Sequence, residues 1–543
     1  ASTYAKQIGY KDCVVIIDEA HNIANPSQTY KRYAKQFMFL AKHLSDCVSN
    51  KNVKVISLTA TPVTENINEI AVLLNMVSKK IKFPILLKQF LSKYENNLDK
   101  LKRDTRGLIS YFSREFDYTV QPRKIVYPIE NQQKRIINGV IDRADNAKIY
   151  GLTPIHLGNT QVAAIEQYLK SKKKAKITNG YGIVKKGPIT NQLRRISNFY
   201  GIGENNVKHH CDNISEHLKE RGPKFLAIYN NISKNNKEKH WVYCGLSAGV
   251  GVKPMYETLL CQKWTQIHVD NVKKCLPLLL KTLELLQQDK NIMLEGKDYQ
   301  RFIVLDRNTP MKTSSVALQI LNHSKNSSGK IIRIIIGDSS RKEGMDLFSI
   351  KHVHVVSPEL KYMDWHQAIS RAIRYCAHRY IKPVKNWTVN INTYLGYTKW
   401  NGGNVYSSHS TQIDLYVVNE SERTRLLVTP FLNALKEGAI DCYITSGFHK
   451  KENIQCDMQA PIIKKKRPLK LSEKDRKKAY NNGYMKYNYD KGYKIGAKMK
   501  KTPELSNIQN KQKKIQKNEY KRHYMYGQQN AKLNAMLNGY KML

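Results

Sequence analysis

Long apolar runs are missing from this 543-residue chain. The best candidates, such as Leu276 to Leu280, are short and flanked by lysine, far below the roughly 18 residues of a membrane span. No membrane partner is expected. Paired cysteines are missing too. The nine cysteines, Cys13, Cys47, Cys211, Cys244, Cys261, Cys275, Cys376, Cys442 and Cys456, form no C-x-x-C pair. That argues against a zinc module or a disulfide framework and for a reducing, intracellular setting. Acid is scarce, with 44 Asp+Glu against 91 Lys+Arg and a formal net charge of +47. An A/T-rich gene inflates lysine, asparagine, isoleucine and tyrosine, but Asp and Glu codons are A/T-rich as well, so base composition explains only half of the imbalance. A surface this basic attracts polyanions by counterion release, which makes nucleic acid the expected partner. The 41% hydrophobic content is that of a globular protein, and the length admits about three or four domains.

Residues 10 to about 75 alternate β-rich runs with a helical stretch: Val14 to Ile17, Tyr30 to Leu44, Val53 to Leu58. This is the pattern of the latter part of a parallel α/β lobe, assigned to residues 1–75. Residues 76–215 turn polar, Lys-rich and mostly helical and read as an insertion or bridging region. Apolar strand patterns return at His240 to Cys244, Arg301 to Leu305, Ile331 to Ile336 and Val353 to Ser357, giving a second, complete α/β lobe over 216–400. Residues 401–460 read as a small appended unit, with a strand at Ile413 to Val418 and a helix around Thr429 to Glu437. The run Lys464-Lys465-Lys466-Arg467 opens a basic tail over 461–543, too poor in branched aliphatics to offset chain entropy. It is expected to be disordered and to bind nucleic acid without sequence preference.

Four segments carry chemistry. Asp18-Glu19-Ala20-His21 ends the first apolar strand. Consecutive carboxylates there suit phosphoryl transfer, Asp18 holding Mg²⁺ through water and Glu19 orienting an attacking water. Thr59-Ala60-Thr61-Pro62 ends the next strand, where hydroxyls can couple sites before proline stops the strand. Ser339 to Leu347 follows a strand in the second lobe, where α/β folds bind ligands. In it Gly344 permits close approach of backbone to phosphate, and Asp346 can pair with an arginine. Gln367-Ala368-Ile369-Ser370-Arg371-Ala372-Ile373-Arg374 reads as helix, with Arg371 and Arg374 three apart and so on one face, suited to neutralising transition-state charge.

One part of such an engine is absent. No G-x-x-x-x-G-K-[ST] phosphate loop occurs, because Gly296-Lys297 is followed by Asp298 and Gly329-Lys330 by Ile331. Nor can residues 1–13 hold the roughly 30 residues of a strand, loop and helix. The expectation is a chain lacking the N-terminal half of its first lobe, supplied in cis or in trans, and not hydrolysing ATP alone.

In order, the four segments resemble motifs II, III, V and VI of superfamily 2 helicases. The fit is to the Swi/Snf-like branch of large cytoplasmic DNA viruses and yeast linear plasmids, which includes nucleoside triphosphatase I and the small subunit of the early transcription factor. Arg106 to Phe112, Leu193 to Phe199, Pro223-Lys224-Phe225, Arg374 to His378 and Ala439 to Cys442 extend the resemblance over about 14 to 445. It implies two RecA-like lobes, ATP and Mg²⁺ as cofactors, and an ATP-dependent helicase or translocase. It implies catalytic roles for Asp18, Glu19, His21, Arg371 and Arg374, nucleotide contacts from Gln367, Asp346 and Gly344, and coupling through Thr59 and Thr61. DNA, as duplex, single strand or RNA counterpart, and a viral or plasmid RNA polymerase would be the partners, in a cytoplasmic viral factory and the virion. Ser370 stands where the motif usually has glycine. The alternative is a non-catalytic, polymerase-recruiting factor that keeps the lobes as scaffold.

Overall fold

A computed structural model describes residues 10, 12–25, 33–50, 52–64, 66–112, 117–126, 150–178, 186–201, 206–246, 250–290, 292, 294–341, 345–398, 411–449 and 454–456. Gly344 and the tail containing Lys464, Lys465, Lys466 and Arg467 lie outside them. The described residues form a mixed α/β fold built on parallel sheets.

The first lobe holds two parallel strands, β1 (Val14–Ile17) and β2 (Lys54–Ser57), with Val14 opposite Lys54 and Ile17 opposite Ser57. Side chains alternate across a strand. Val15, Ile17 and Val55 therefore meet α1 (His21–Ala24), α2 (Ala34–Asn50) and α3 (Glu69–Val77), around buried Ala20, Ile23, Leu44, Leu73 and Met76. The other face is apolar and uncovered: Val14 is 57%, Ile16 64%, Ile56 46% and Leu58 47% exposed. Two strands with one bare apolar face are not a self-sufficient sheet.

The second lobe is an eight-stranded parallel sheet. Its strands are β3 (Arg123–Ile125), β4 (Leu152–His156), β5 (Lys239–Cys244), β6 (Thr265–Gln266), β7 (Arg301–Leu305), β8 (Ile334–Asp338), β9 (Ile350–Val355) and β10 (Thr388–Tyr397). The order is β6-β7-β8-β5-β9-β10, with β3 and β4 end to end along the far edge of β10. Both come from residues that the sequence pattern assigns to a bridging region; the sheet absorbs them.

Helices on both faces explain the near-continuous apolar runs of the central strands. Trp241, Tyr243, Ile303, Leu305, Ile335, Val353 and Val355 pack on α11 (Val272–Gln287), α12 (Met311–Leu321) and α13 (Tyr362–Ser370). Alternate residues Val242, Cys244, Phe302, Val304, Ile334 and Ile336 pack on α9 (Pro223–Lys234) and α10 (Val252–Cys261). Helices α4 (Leu87–Tyr94), α5 (Leu98–Thr105), α6 (Asn159–Thr178), α7 (Lys186–Asn198) and α8 (Ile214–Arg221) fill the intervening chain.

Two expectations need correction. Ile413 to Val418 is no strand: it opens the 25-residue helix α14 (Ile413–Glu437), ahead of α15 (Cys442–His449). The apolar positions look strand-like because the first turns of α14 are buried all round, with Leu415 and Val418 in the core of the second lobe. Its far end carries Phe431, Ala434 and Leu435 into a different core, with Val63, Ile70, Phe90 and Leu101. One helix thus spans both lobes. The cysteines are also not all unpaired: Cys211–Cys261 and Cys442–Cys456 are disulfides, separated by 50 and 14 residues in sequence. No local spacing could announce pairs that tertiary folding brings together.

A ladder of histidines crosses the sheet. His240 Nδ1 lies 3.0 Å from His354 Nε2, His354 Nδ1 lies 2.9 Å from the Tyr394 hydroxyl, and the His240 and His352 rings stack at 4.7 Å. Burial, then the neighbouring rings, holds His240 and His354 well below the ordinary histidine range, so both are neutral in the fold. Unfolding frees them to take protons. Their contribution is complete above the unfolded value of about 6.5 and is lost as pH falls below it. We expect the melting temperature to drop by roughly several degrees between about pH 7 and pH 5. Thermal scans of His354→Asn should show a flatter acid limb.

Candidate functional site

The box residues sit where β1 stops. Asp18 Oδ1 accepts the Glu19 amide at 2.9 Å, and both side chains are exposed. Glu19 takes a left-handed φ of 49°, uncommon for a residue with a Cβ. The turn is clamped to the end of β2, the Ala20 amide donating to the Leu58 carbonyl at 2.9 Å and the Leu58 amide to the Ile17 carbonyl at 2.8 Å. That clamp puts the box beside Thr59.

A hydrogen-bonded chain runs from there. Asn22 Nδ2 donates to His21 Nε2 at 3.3 Å, which leaves the His21 proton on Nδ1. Nδ1 then donates to Thr59 Oγ1 at 2.9 Å and faces Glu19 Oε2 at 3.4 Å. The Thr59 hydroxyl also accepts the Thr61 amide at 3.0 Å. Gln367 Nε2, from the second lobe, donates to Thr61 Oγ1 at 3.1 Å. Glu19, His21, Thr59 and Thr61 are thereby joined to Gln367, which stands 306 residues beyond Thr61 in sequence.

The arginines depart from the helical reading. Helix α13 ends at Ser370, and Arg371 is its cap. Because the chain leaves the helix there, the two arginines do not share a helix face. Arg371 is buried and donates to the Met345 carbonyl at 3.2 Å, whereas the 42% exposed Arg374 forms an ion pair with Asp346. Both still converge on the segment 345–346.

Sequence reasoning missed Glu69. Its buried carboxylate accepts the Thr64 amide at 2.7 Å, the Thr64 hydroxyl at 2.8 Å, the Asn66 amide at 2.9 Å and Asn25 Nδ2 at 2.9 Å. It holds the loop after Thr61 against the end of α1. An acid opening a helix shortly after a Thr-Pro turn was the available signal.

Mg²⁺ and nucleotide fit these residues. Asp18 offers hard, exposed oxygen. That suits Mg²⁺, which keeps water and phosphate ligands. Gln367 Oε1 is buried without a hydrogen-bond partner, so the same side chain that grips Thr61 has an acceptor to spare.

No family model matches the chain. It is 21% identical over 472 residues to a candidate ATP-dependent RNA helicase of Acanthamoeba polyphaga mimivirus, covering 83% of this chain and 71% of that protein. It is 21% identical to the termination factor NPH-I homolog of African swine fever virus, covering 89% and 72%. Among solved structures, the Sulfolobus solfataricus SWI2/SNF2 ATPase core in complex with dsDNA aligns over 78% of this chain and 72% of its own at 15% identity, with a TM-score of 0.27. Over most of its length this chain is thus similar in sequence to a viral helicase and to a viral termination factor.

Proposed function

We propose that this chain provides the metal-binding, water-orienting and arginine-bearing walls of a DNA-dependent ATPase motor that acts in transcription. The Gln367–Thr61 hydrogen bond carries the reading, because it ties the lobe with the carboxylates to the lobe with the arginines. Closure of the lobes on nucleotide would pull on that bond and, through His21, on Glu19.

Through water, Asp18 would hold Mg²⁺, which would supply charge neutralisation for the transferring phosphoryl group. Glu19 orients the water. Arg371 and Arg374 counter the charge that builds on the phosphate, and Asp346 parks Arg374 until nucleotide displaces it. The site still needs a phosphate loop, which residues 1–543 do not contain. The bare apolar face of Val14, Ile16, Ile56 and Leu58 is a suitable seat for the elements that bring one. The likeness to a viral RNA helicase and a viral termination factor supports work on nucleic acid; the partner we propose is a viral or plasmid RNA polymerase, met in the cytoplasm and the virion, and the basic tail would add salt-sensitive grip.

The formal net charge of +47 also fits a second reading, a non-catalytic factor that keeps the lobes as scaffold and recruits a polymerase. DNA decides between them. With a phosphate loop restored, duplex DNA should raise ATP turnover at least about 10-fold, as differential binding of nucleic acid to the closed state requires. No stimulation at any DNA concentration would favour the scaffold.

A further inference from the structure

The stretch from Tyr375 to Trp387 does more than connect Arg374 to β10. Two of its rings face solvent, Tyr375 at 60% and Tyr380 at 38% exposure. Between them the Arg379 guanidinium lies over the Phe348 ring at 4.4 Å and the Tyr380 ring at 4.9 Å. The stretch is fastened to the turn before β3. The Cys376 amide donates to the Val120 carbonyl at 2.6 Å, Gln121 Nε2 to the Ile373 carbonyl at 3.0 Å, and Arg123 Nη2 to the Lys385 carbonyl at 3.2 Å. These bonds bring up a third exposed ring, Tyr118, with the Arg123 guanidinium 6.0 Å from its centre. Exposed Lys382 and Lys385 complete the surface. Among the described residues at its margin, Glu238 pairs with His352, and the Asp117 carboxylate takes the Thr119 hydroxyl.

We propose that this surface, where β3, β9 and β10 begin, is a binding platform for single-stranded nucleic acid. The rings of Tyr375, Tyr380 and Tyr118 stack on bases, and Arg123, Arg379, Lys382 and Lys385 neutralise the phosphates between them. Two physical facts select the ligand. Cations alone would accept any polyanion, but exposed rings gain by stacking only where bases are unpaired. Arginine held flat against a ring keeps its outer face and edge for base or phosphate. The platform lies on the second lobe at the starts of its strands, whereas Asp18, Glu19, Thr59 and Thr61 lie at strand ends of the first lobe. It goes beyond the ATPase reading and needs no nucleotide, so it can fail or stand without it.

The test is fluorescence anisotropy of the full chain, without ATP, on a labelled oligo-dT of about 15 nucleotides and on a duplex of equal length. Tyr375→Ala with Tyr380→Ala should weaken single-strand binding by about 10-fold or more and duplex binding by less than about 3-fold. The corresponding Phe variants should bind like the parent. Lys382→Ala with Lys385→Ala should lower the salt slope on the single strand by about 0.7 per lost contact. The basic tail adds the same background to every variant. Photocrosslinking of iododeoxyuridine-substituted strand to the unaltered chain should map to Tyr375 or Tyr380, and this readout holds even if a variant misfolds. Crosslinks confined to other regions would overturn the proposal. So would equal losses on single strand and duplex, or displacement of the strand by polyglutamate at equal charge, which would make the surface a dock for acidic protein.

Discussion

Arg374→Ala lowers ATP turnover by about 10³-fold or more once a phosphate loop completes the site, as loss of an arginine that meets the transferring phosphate does in related chemistry. Arg374 is the cleaner probe of the two arginines. Arg371 is buried against the Met345 carbonyl, so its loss would disturb packing as well as chemistry. The Arg374 side chain is 42% exposed and forms an ion pair with Asp346, a pair too solvated to contribute much to stability. Its removal should leave the melting temperature nearly unchanged. Lysine should not restore the rate, because a compact ammonium cannot reproduce the planar, two-pronged donor. A turnover within about threefold of the parent would take Arg374 out of the mechanism.

Lys224→Met has a comparably large expected effect, on stability. The Lys224 ammonium is fully buried and lies 2.5 Å from Asp414 Oδ2 and 3.0 Å from Asn198 Oδ1. Asp414 Oδ2 also takes the Ser197 hydroxyl at 3.1 Å and the Gly396 amide at 2.7 Å. Burial pulls the Lys224 ammonium below its ordinary range while Asp414 pulls it back up. Gly396 has no substitute here, since a Cβ would come within 3.0 Å of Leu157, Ser197 and Lys224. Breaking one side leaves Asp414 as a buried, unpaired carboxylate, at a cost of about 3 to 5 kcal/mol. Adding Asp414→Leu should recover part of that loss, because an apolar pair of similar volume avoids both desolvation terms. Urea melts of the two single variants and the double variant check this. Additive losses would contradict the pairing. The pair fixes the first turn of α14 to the second lobe, and α14 carries the link to the first-lobe core.

The central strands were legible because burial on both sheet faces leaves apolar runs that need no partner to recognise, as at His240 to Cys244, whereas the edge strands β3, β4 and β6 leave no such run. The same rule misled at Ile413 to Val418, where a helix buried all round writes a similar run. Helix and strand then differ only by length, and the continuation to Glu437 is polar enough to hide it. The box, the Thr59–Thr61 segment and the Gln367–Arg374 segment could be named from order and spacing. Their contacts could not. Gln367 meeting Thr61, Glu69 organising Thr64 and Cys211 meeting Cys261 all depend on chain paths over loops that leave no local pattern. The shared face of Arg371 and Arg374 failed for a local reason: α13 stops at Ser370, before the spacing can repeat.

The most direct measurement is ATP turnover with duplex DNA, by the 543-residue chain alone and after joining it to a polypeptide that carries a G-x-x-x-x-G-K-[ST] loop. Background turnover is expected for the chain alone, DNA-dependent turnover for the joined protein, and loss of that turnover on Glu19→Gln. DNA-dependent hydrolysis by the chain alone that persists in Glu19→Gln would contradict that expectation.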